Sequence, residues 1–266
     1  MLLRHTLLHC ILLHRIVILS ALLFGSLTQM SAGAAEVIHL SSGPQQTTLL
    51  ELYTSEGCSS CPPADRWLSQ FTRDPRLWRQ VVPVVFHVDY WNYLGWSDRF
   101  SQASYSERQR QYTLRRYSKS VYTPGFFSNG REWRSWFFNR EPDFNPHSRP
   151  GALQLTIGAH NLSGRFSPLS PVSTELILNL AVLGFDLTTA VAGGENQGKQ
   201  LHHDFVVLAL RSYEGQIRGN KVTWQLPLPP ALRQTDAGAI ACWISREDDP
   251  TPIQAVGGWL TPHSNE

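Results

Sequence analysis

Two cysteines stand three positions apart in the stretch GCSSCPPAD, Gly57 to Asp65, of a chain with four cysteines in all. At that spacing Cys58 and Cys61 suit three kinds of chemistry: a redox couple, half of a metal site, or a structural disulfide. A thiolate attacks a disulfide sulfur, and a second thiol one helical turn on displaces the mixed disulfide that forms. Two intervening residues give the spacing this second step needs. A bridge closing so small a loop constrains the unfolded chain little, so stability is a weak reason to place one there. A metal site needs further ligands, and His87 and Asp89 alternate in VVFHVDY so that both point to one face near a strand end. Two thiolates with His87 form a donor set for copper(I) or zinc.

The flanking residues predict the elements that must hold the pair. TTLLELYT, Thr47 to Thr54, has the composition and length of a strand and runs straight into the cysteines. From Ala64, ADRWLSQFTRD carries Trp67, Leu68 and Phe71 at helical spacing and stops before Asp74-Pro75. A proline costs little in the first helical turn, where its missing N–H had no partner, so Pro62 and Pro63 put the helix start at or just before Cys61. Cys58 then sits between a strand end and a helix start, where unpaired N–H groups and the helix dipole lower a thiol pKa. QVVPVVFHVDY is nearly continuously apolar and β-branched, as in a strand buried on both faces, and completes a parallel β-α-β unit.

Beyond that strand, Tyr90, Trp91, Tyr93, Leu94 and Trp96 form an aromatic segment. It reads first as a cap over the core, with the wall of a groove for an extended peptide as the functional alternative. A helix is predicted from about Ser101 to Tyr117, with Arg108, Arg110, Arg115, Arg116 and Lys119 spread around it as a solvated face. VYTPGFFSNGREW reads as an extended segment, a Thr123-Pro124 bond, a short strand and an Asn129-Gly130 turn. Asn139 to Gly151, dense in Pro, Asn and charge, reads as a linker. The remainder consists of apolar, often alternating runs such as STELILNLAVLGF and GAIACWISR, which predict a small antiparallel sandwich. Adjacent residues on a strand face opposite ways, so His202 and His203 do not converge and read as structural or surface residues. Cys242 reads as a small buried hydrophobe.

A length of 266 residues with 42% hydrophobic content predicts two packed units. The net charge of +2, from 23 Lys+Arg against 21 Asp+Glu, offers no global field for a nucleic-acid partner or a membrane surface. No Gly-rich phosphate loop or serine-hydrolase elbow is present. At the start, Arg4 and Arg15 precede the apolar run IVILSALLFGSL, and SAGAAE supplies small residues for cleavage near Ala34 or Ala35. Residues 1–35 therefore read as a signal peptide, too interrupted to span a bilayer, that carries Cys10 away. The mature chain is expected to be periplasmic or secreted, without a stable membrane span, and to keep Cys58, Cys61 and Cys242 where disulfides are permitted.

ELYTSEGCSSCPPAD, HVDYWNYLGWSD, ERQRQY, VYTPGFFSNGR and GENQGKQLHHDFVVLAL together resemble the bacterial secreted proteins of the domain-of-unknown-function 1223 family, a thioredoxin-like group. The likeness runs from about Thr48 to near the C-terminus. It implies a thioredoxin-like frame in which Cys58 is the nucleophile, Cys61 the resolving thiol, and Pro124, after Thr123, a cis-proline packed on the pair. The family pattern brings no substrate. Thioredoxin has an aromatic residue before its first cysteine and Gly-Pro between the two, whereas Gly57 and Ser59-Ser60 stand here, so neither potential nor direction carries over. Its buried acid is matched by Glu51 only with an offset of one position.

The sequence thus predicts an α/β thioredoxin-like domain over residues 36–145 followed by a mostly antiparallel β-sandwich-like domain over 146–266. Its leading functional expectation is a thiol-disulfide oxidoreductase using Cys58 and Cys61, with Thr123, Pro124 and Trp91 meeting the substrate. No cofactor is called for, and the partners are protein thiols or disulfides, or an extended peptide. One alternative is a copper or zinc protein using Cys58, Cys61 and His87. Another is a peptide- or protein-binding module that uses the aromatic groove without redox chemistry.

Overall fold

The computed structural model describes residues 37–144, 147–172, 174–233 and 236–261. The signal-like stretch 1–35, with Cys10, lies outside the described residues. The chain runs through β1 (Ile38–Ser41), β2 (Thr48–Thr54), helix α1 (Pro62–Ser69), β3 (Val81–His87), helix α2 (Ala103–Leu114), β4 (Gly125–Ser128) and β5 (Arg131–Glu132). Among the described residues no further α-helix follows, and the next strands are β6 (Gly151–Ile157), β7 (Asn161–Pro168), β8 (Leu176–Gly184), β9 (Leu187–Ala190), β10 (Gln200–His203) and β11 (Val206–Glu214). The last are β12 (Gln216–Arg218), β13 (Lys221–Pro227), β14 (Ala239–Arg246) and β15 (Gln254–Trp259).

Their pairing corrects the expected fold class. Instead of an α/β thioredoxin-like domain followed by a β-sandwich-like one, the described chain is mostly strand, with two α-helices. Its largest sheet mixes both stretches in the order β15-β14-β8-β11-β3-β2-β4-β5. A five-stranded sheet, β1-β6-β7-β13-β12, and a β9–β10 ribbon complete it. Reading segment by segment gives each strand a partner close in sequence, and that is where the expectation fails. β3 is buried along its whole length and has two edges to pair. β2 takes one in parallel register. β11 takes the other, with Val206 opposite Val85 and the Val85 N–H donating to the Phe205 carbonyl at 2.9 Å.

The shared sheet is covered on both faces, which is why its central strands read as unbroken apolar runs. On β8 and β14, Ala181, Leu183, Ala239, Ala241 and Trp243 face one core, which also holds Leu49, Leu52, Phe86 and Phe205. The alternate residues Leu178, Leu180, Val182, Ile240, Cys242 and Ile244 face a second core shared with Leu153, Leu155, Phe166 and Trp224 of the five-stranded sheet. Cys242 is therefore a buried apolar residue of that second core, and burial pushes its thiol pKa up.

The two helices lie on opposite faces of β2. Helix α1 sets Trp67 against Phe126, and its Asp65 meets Thr54. Helix α2 sets Tyr105 against Phe86 and Tyr112 against Phe127. Arg108 of α2 is not on a solvated face as expected. It is largely buried, donating from Nε to Glu51 Oε1 at 2.8 Å, while the Tyr112 hydroxyl donates to Glu51 Oε2 at 2.6 Å. Glu51 thus serves the α2 face of the sheet, away from the cysteines. Among the described residues no helix is long and apolar enough to cross a membrane.

Residues 36–145 on their own would leave one edge of β3 unpaired and lose Ala181, Leu183, Phe205 and Trp243 from the core they share. That fragment is expected to show no cooperative thermal transition and no near-UV aromatic signal, whereas residues 36–266 melt in one step. A cooperative melt of the fragment would contradict the shared sheet.

Candidate active site

The cysteines occupy the turn between β2 and α1. The Cys58 N–H donates to the Ser55 carbonyl and the Cys61 N–H to the Cys58 carbonyl, each at 3.2 Å. Cys61 is the N-cap of α1, and Pro62 and Pro63 fill its first two positions. Cys58 therefore lies about a turn before the helix, between the end of β2 and the cap of α1, as the two prolines implied. Its acidity comes first from its partner: the Cys61 thiol donates to the Cys58 sulfur, and Ser60 and Thr123 add donors. These outweigh burial and lower the Cys58 pKa to about 6. The Ser60 hydroxyl stands 3.3 Å from Cys58 Sγ. Cys61 moves the opposite way, pushed well above the ordinary thiol value by burial and by its neighbour Cys58. Both cysteines are free thiols, and Cys58 is only 1% exposed.

Thr123, Pro124 and Trp91, expected from separate parts of the sequence, gather at this turn. The Thr123-Pro124 bond is cis and leads directly into β4. The Trp91 indole N–H donates to Thr123 Oγ1 at 2.7 Å, so the aromatic segment and the proline loop are tied to each other. The Tyr90 hydroxyl donates to Gln109 Oε1 at 3.0 Å, and Gln109 Nε2 donates to the Tyr122 carbonyl at 2.7 Å. The body of Trp91 also fills the space in front of Gly57, where a Cβ would come within 3.2 Å of Trp91 Cβ. The aromatic mass that Gly57 lacks is supplied from the neighbouring loop.

Behind the turn lies a buried polar cluster that the sequence only hinted at. His87 Nδ1 stands 2.7 Å from Asp98 Oδ2, and both side chains are fully buried. Asp98 also accepts the Glu56 N–H at 2.9 Å and the Phe100 N–H at 3.0 Å. His203 packs edge-on against His87, with ring centroids 4.9 Å apart, and places Nε2 3.4 Å from Glu56 Oε1, without hydrogen-bond geometry. Trp96 donates its indole N–H to Glu56 Oε2 at 2.7 Å. Asp65, on the face of α1 one turn after Cys61, shares a 3.2 Å contact with Thr54 and is pushed up by burial. Strand β3 ends at His87, so the alternation with Asp89 stops there; Asp89 turns to the Ser106 hydroxyl on α2. Among the described residues no three His, Cys, Asp or Glu side chains stand where they could hold a metal ion.

The second stretch reaches the site twice, and neither contact has a signal in sequence spacing. His203 points inward from β10, while His202 faces outward toward Asp186 and Asp204, as alternation requires. The loop between β9 and β10 presents Glu195 and Asn196 to the cysteine turn. Glu195 Oε2 accepts from the Ser59 N–H at 2.9 Å and the Ser59 hydroxyl at 2.7 Å. Asn196 Nδ2 donates to the carbonyls of Glu56 at 2.9 Å and Cys58 at 2.8 Å.

The His87–Asp98 pair sets a stability profile. Burial pulls the His87 pKa down, but the charge and hydrogen bond of Asp98 outweigh it and the net shift is up. Burial pushes Asp98 up, yet the His87 charge and the N–H donors leave it below the ordinary carboxylate value. A raised histidine contributes fully below its unfolded pKa of about 6.5, and the contribution is lost as pH rises through the folded value; a lowered aspartate contributes fully above about 3.9, and the contribution is lost as pH falls through its folded value. The pair therefore supports a plateau between those limits. Asp98→Ala, which leaves His87 and two backbone N–H groups unpartnered, is expected to cost about 3–5 kcal/mol in denaturant unfolding and to flatten the profile on both sides. A loss well under 1 kcal/mol would rule this role out.

Two solved structures resemble this one. A crystal structure of a protein from Agrobacterium tumefaciens, a structural-genomics target, is 22% identical at a TM-score of 0.58, covering 82% of this chain and 96% of that one. HBP35 of Porphyromonas gingivalis is 12% identical at a TM-score of 0.54, covering 84% of this chain and 78% of that one. At these identities the likeness concerns the fold alone. No curated protein matches the chain. The family model described as protein of unknown function, DUF1223, matches residues 49–244, and the chain belongs to that family.

Proposed function

We propose that the protein exchanges thiols and disulfides, with Cys58 as the nucleophile and Cys61 as the resolving thiol. The observation that carries this reading is the geometry of the turn: two free thiols, Cys61 capping α1, the Ser60 hydroxyl 3.3 Å from Cys58 Sγ and the cis Thr123-Pro124 bond beside them, with the two thiols shifted in opposite directions, Cys58 down and Cys61 up. A structural bridge has no use for such a difference, whereas exchange needs one thiolate to attack and one protonated thiol held in reserve. The Cys58 thiolate attacks one sulfur of a substrate disulfide, forms a mixed disulfide and releases the other sulfur as a thiolate. Cys61 then attacks Cys58 Sγ, the Cys58–Cys61 bond forms, and the second substrate sulfur leaves with the proton Cys61 gives up. The reverse sequence oxidises a substrate dithiol. Thr123 and Trp91 border the nucleophile, which supports an extended protein segment as the partner. The apolar N-terminal run supports a compartment outside the cytoplasm, where disulfides persist.

Metal handling through Cys58, Cys61 and His87 has less support, because among the described residues these side chains do not come together as a group of three that could hold a metal ion. With glutathione disulfide as substrate, Cys58→Ser is expected to abolish turnover. Cys61→Ser should stall with glutathione bound to Cys58, visible as a stable adduct by mass spectrometry. Full activity in a variant lacking both cysteines would sink the reading, and partner binding indifferent to both substitutions would point to a binding module instead.

A further inference from the structure

The loop at the tip of the β9–β10 ribbon touches the cysteine turn at one backbone group after another. The Glu56 carbonyl takes Asn196 Nδ2 at 2.9 Å, the Gly57 carbonyl takes the Glu195 N–H at 3.3 Å, and the Cys58 carbonyl takes Asn196 Nδ2 again at 2.8 Å. The next group, the Ser59 N–H, goes to the Glu195 carboxylate. Successive carbonyls outside any helix or ladder are costly to bury unless something donates to them, and here each of the three takes a donor from one loop about 140 residues further along the chain, the Cys58 carbonyl in addition to its local bond from the Cys61 N–H.

The loop is built to stay in place. Val191 N–H donates to the Lys199 carbonyl at 2.9 Å, Gly198 N–H to Val191 at 2.8 Å, and Lys199 N–H to Asn196 at 3.0 Å. The Lys199 ammonium donates to Asn196 Oδ1 at 2.9 Å. An ammonium only donates, so it fixes the amide with its oxygen toward Lys199 and its NH2 toward the two carbonyls. Asn196 is fully buried. Glycine is required where the loop approaches: a Cβ on Gly193 would lie 2.6 Å from the Gly95 carbonyl oxygen, and Gly194, at φ +72°, rests on Gly57.

Resting on the exchange reading, we propose that Asn196 and Glu195, oriented by Lys199, are positioning residues that fix the shape of the cysteine turn and thereby set the reactivity of Cys58. Neither touches a reacting sulfur. They act through geometry, because the Ser60 hydroxyl, 3.3 Å from Cys58 Sγ, and the neighbouring Cys61 thiol stay beside that sulfur only while residues 56–59 keep this path. A loosened turn weakens those bonds, so the thiolate loses stabilisation and the dithiol becomes easier to oxidise. The second stretch of the chain thus acquires a role at the site itself.

The test is the pH midpoint of Cys58 alkylation by iodoacetamide in the reduced protein, together with its equilibrium with glutathione. Asn196→Ala is expected to raise the midpoint until thiolate at a given pH falls about tenfold, and to shift the glutathione equilibrium toward the disulfide. Asn196→Asp keeps the shape but lacks the donors, and should behave like Asn196→Ala. In a Cys61→Ala background the Asn196→Ala shift should shrink, since the bond it supports is already gone. Should Asn196→Ala not fold, Lys199→Met and Glu195→Ala, both at exposed side chains, are expected to move the midpoint in the same direction by a smaller factor. A purely structural loop would lower the melting temperature and leave midpoint and equilibrium where they are in every variant, and that result overturns the proposal. The alkylation midpoint reads Cys58 whether or not the protein turns over a disulfide, so failure of the exchange reading is seen separately, as a wild-type protein that does not exchange at all.

Discussion

The coupling of the Cys58 and Cys61 thiols, held side by side in the turn between β2 and α1, is the interaction on which the rest of this site depends. It makes one sulfur acidic and the other reluctant to ionise, from two chemically identical side chains. Nothing in the bare spacing of the pair compels that outcome. It requires a turn that points both sulfurs inward, a helix whose cap is Cys61, and prolines that keep the helix from starting earlier. The site is accordingly a property of the turn, and every element around it serves to hold the turn in one path.

Holding it takes both stretches of the chain. The eight-stranded sheet brings β11 against β3, and the segment that precedes β11 carries the β9–β10 ribbon over α1 and the cysteines. His203 of that ribbon then completes the cluster of Glu56, His87 and Asp98 beneath the turn. The His87–Asp98 bond and the packing of His203 on His87 join residues of both stretches, so the cluster ties the geometry of the site to the integrity of the whole sheet. Had the chain folded as two successive domains, the ribbon would have had no fixed place over the cysteines.

Much of the site was legible in local sequence, because local rules govern it. The strand into Cys58, the helix start at Pro62, the Thr123-Pro124 bond ahead of β4 and the burial of Cys242 all follow from composition, periodicity or resemblance. The architecture was not legible in the same way. Hydrophobic alternation marks β8, β11 and β14 as strands but says nothing about which edge they join, and β3 chose a partner more than a hundred residues away in the chain. For the same reason the roles of Asn196, Glu195 and His203 were not legible, although all three fall in the resembling motif GENQGKQLHHDFVVLAL: they lie in contacts with Glu56, Cys58 and Ser59 that no spacing encodes. Asp65 is different. It follows Cys61 at helical spacing and could have been placed beside it from the periodicity of α1. Arg108 misled because a charged residue on a helix is usually solvated, whereas here Glu51, itself buried, supplies the partner that permits burial.

The central claim is that the two thiols titrate far apart and in a fixed order. The most direct measurement is a residue-resolved titration of the reduced protein, following the 13Cβ shifts of Cys58 and Cys61 by NMR against pH. The account predicts a Cys58 transition near pH 6, with Cys61 still protonated well past the ordinary thiol range. Two thiols titrating together near the ordinary value of about 8.5, or Cys61 ionising first, would contradict it.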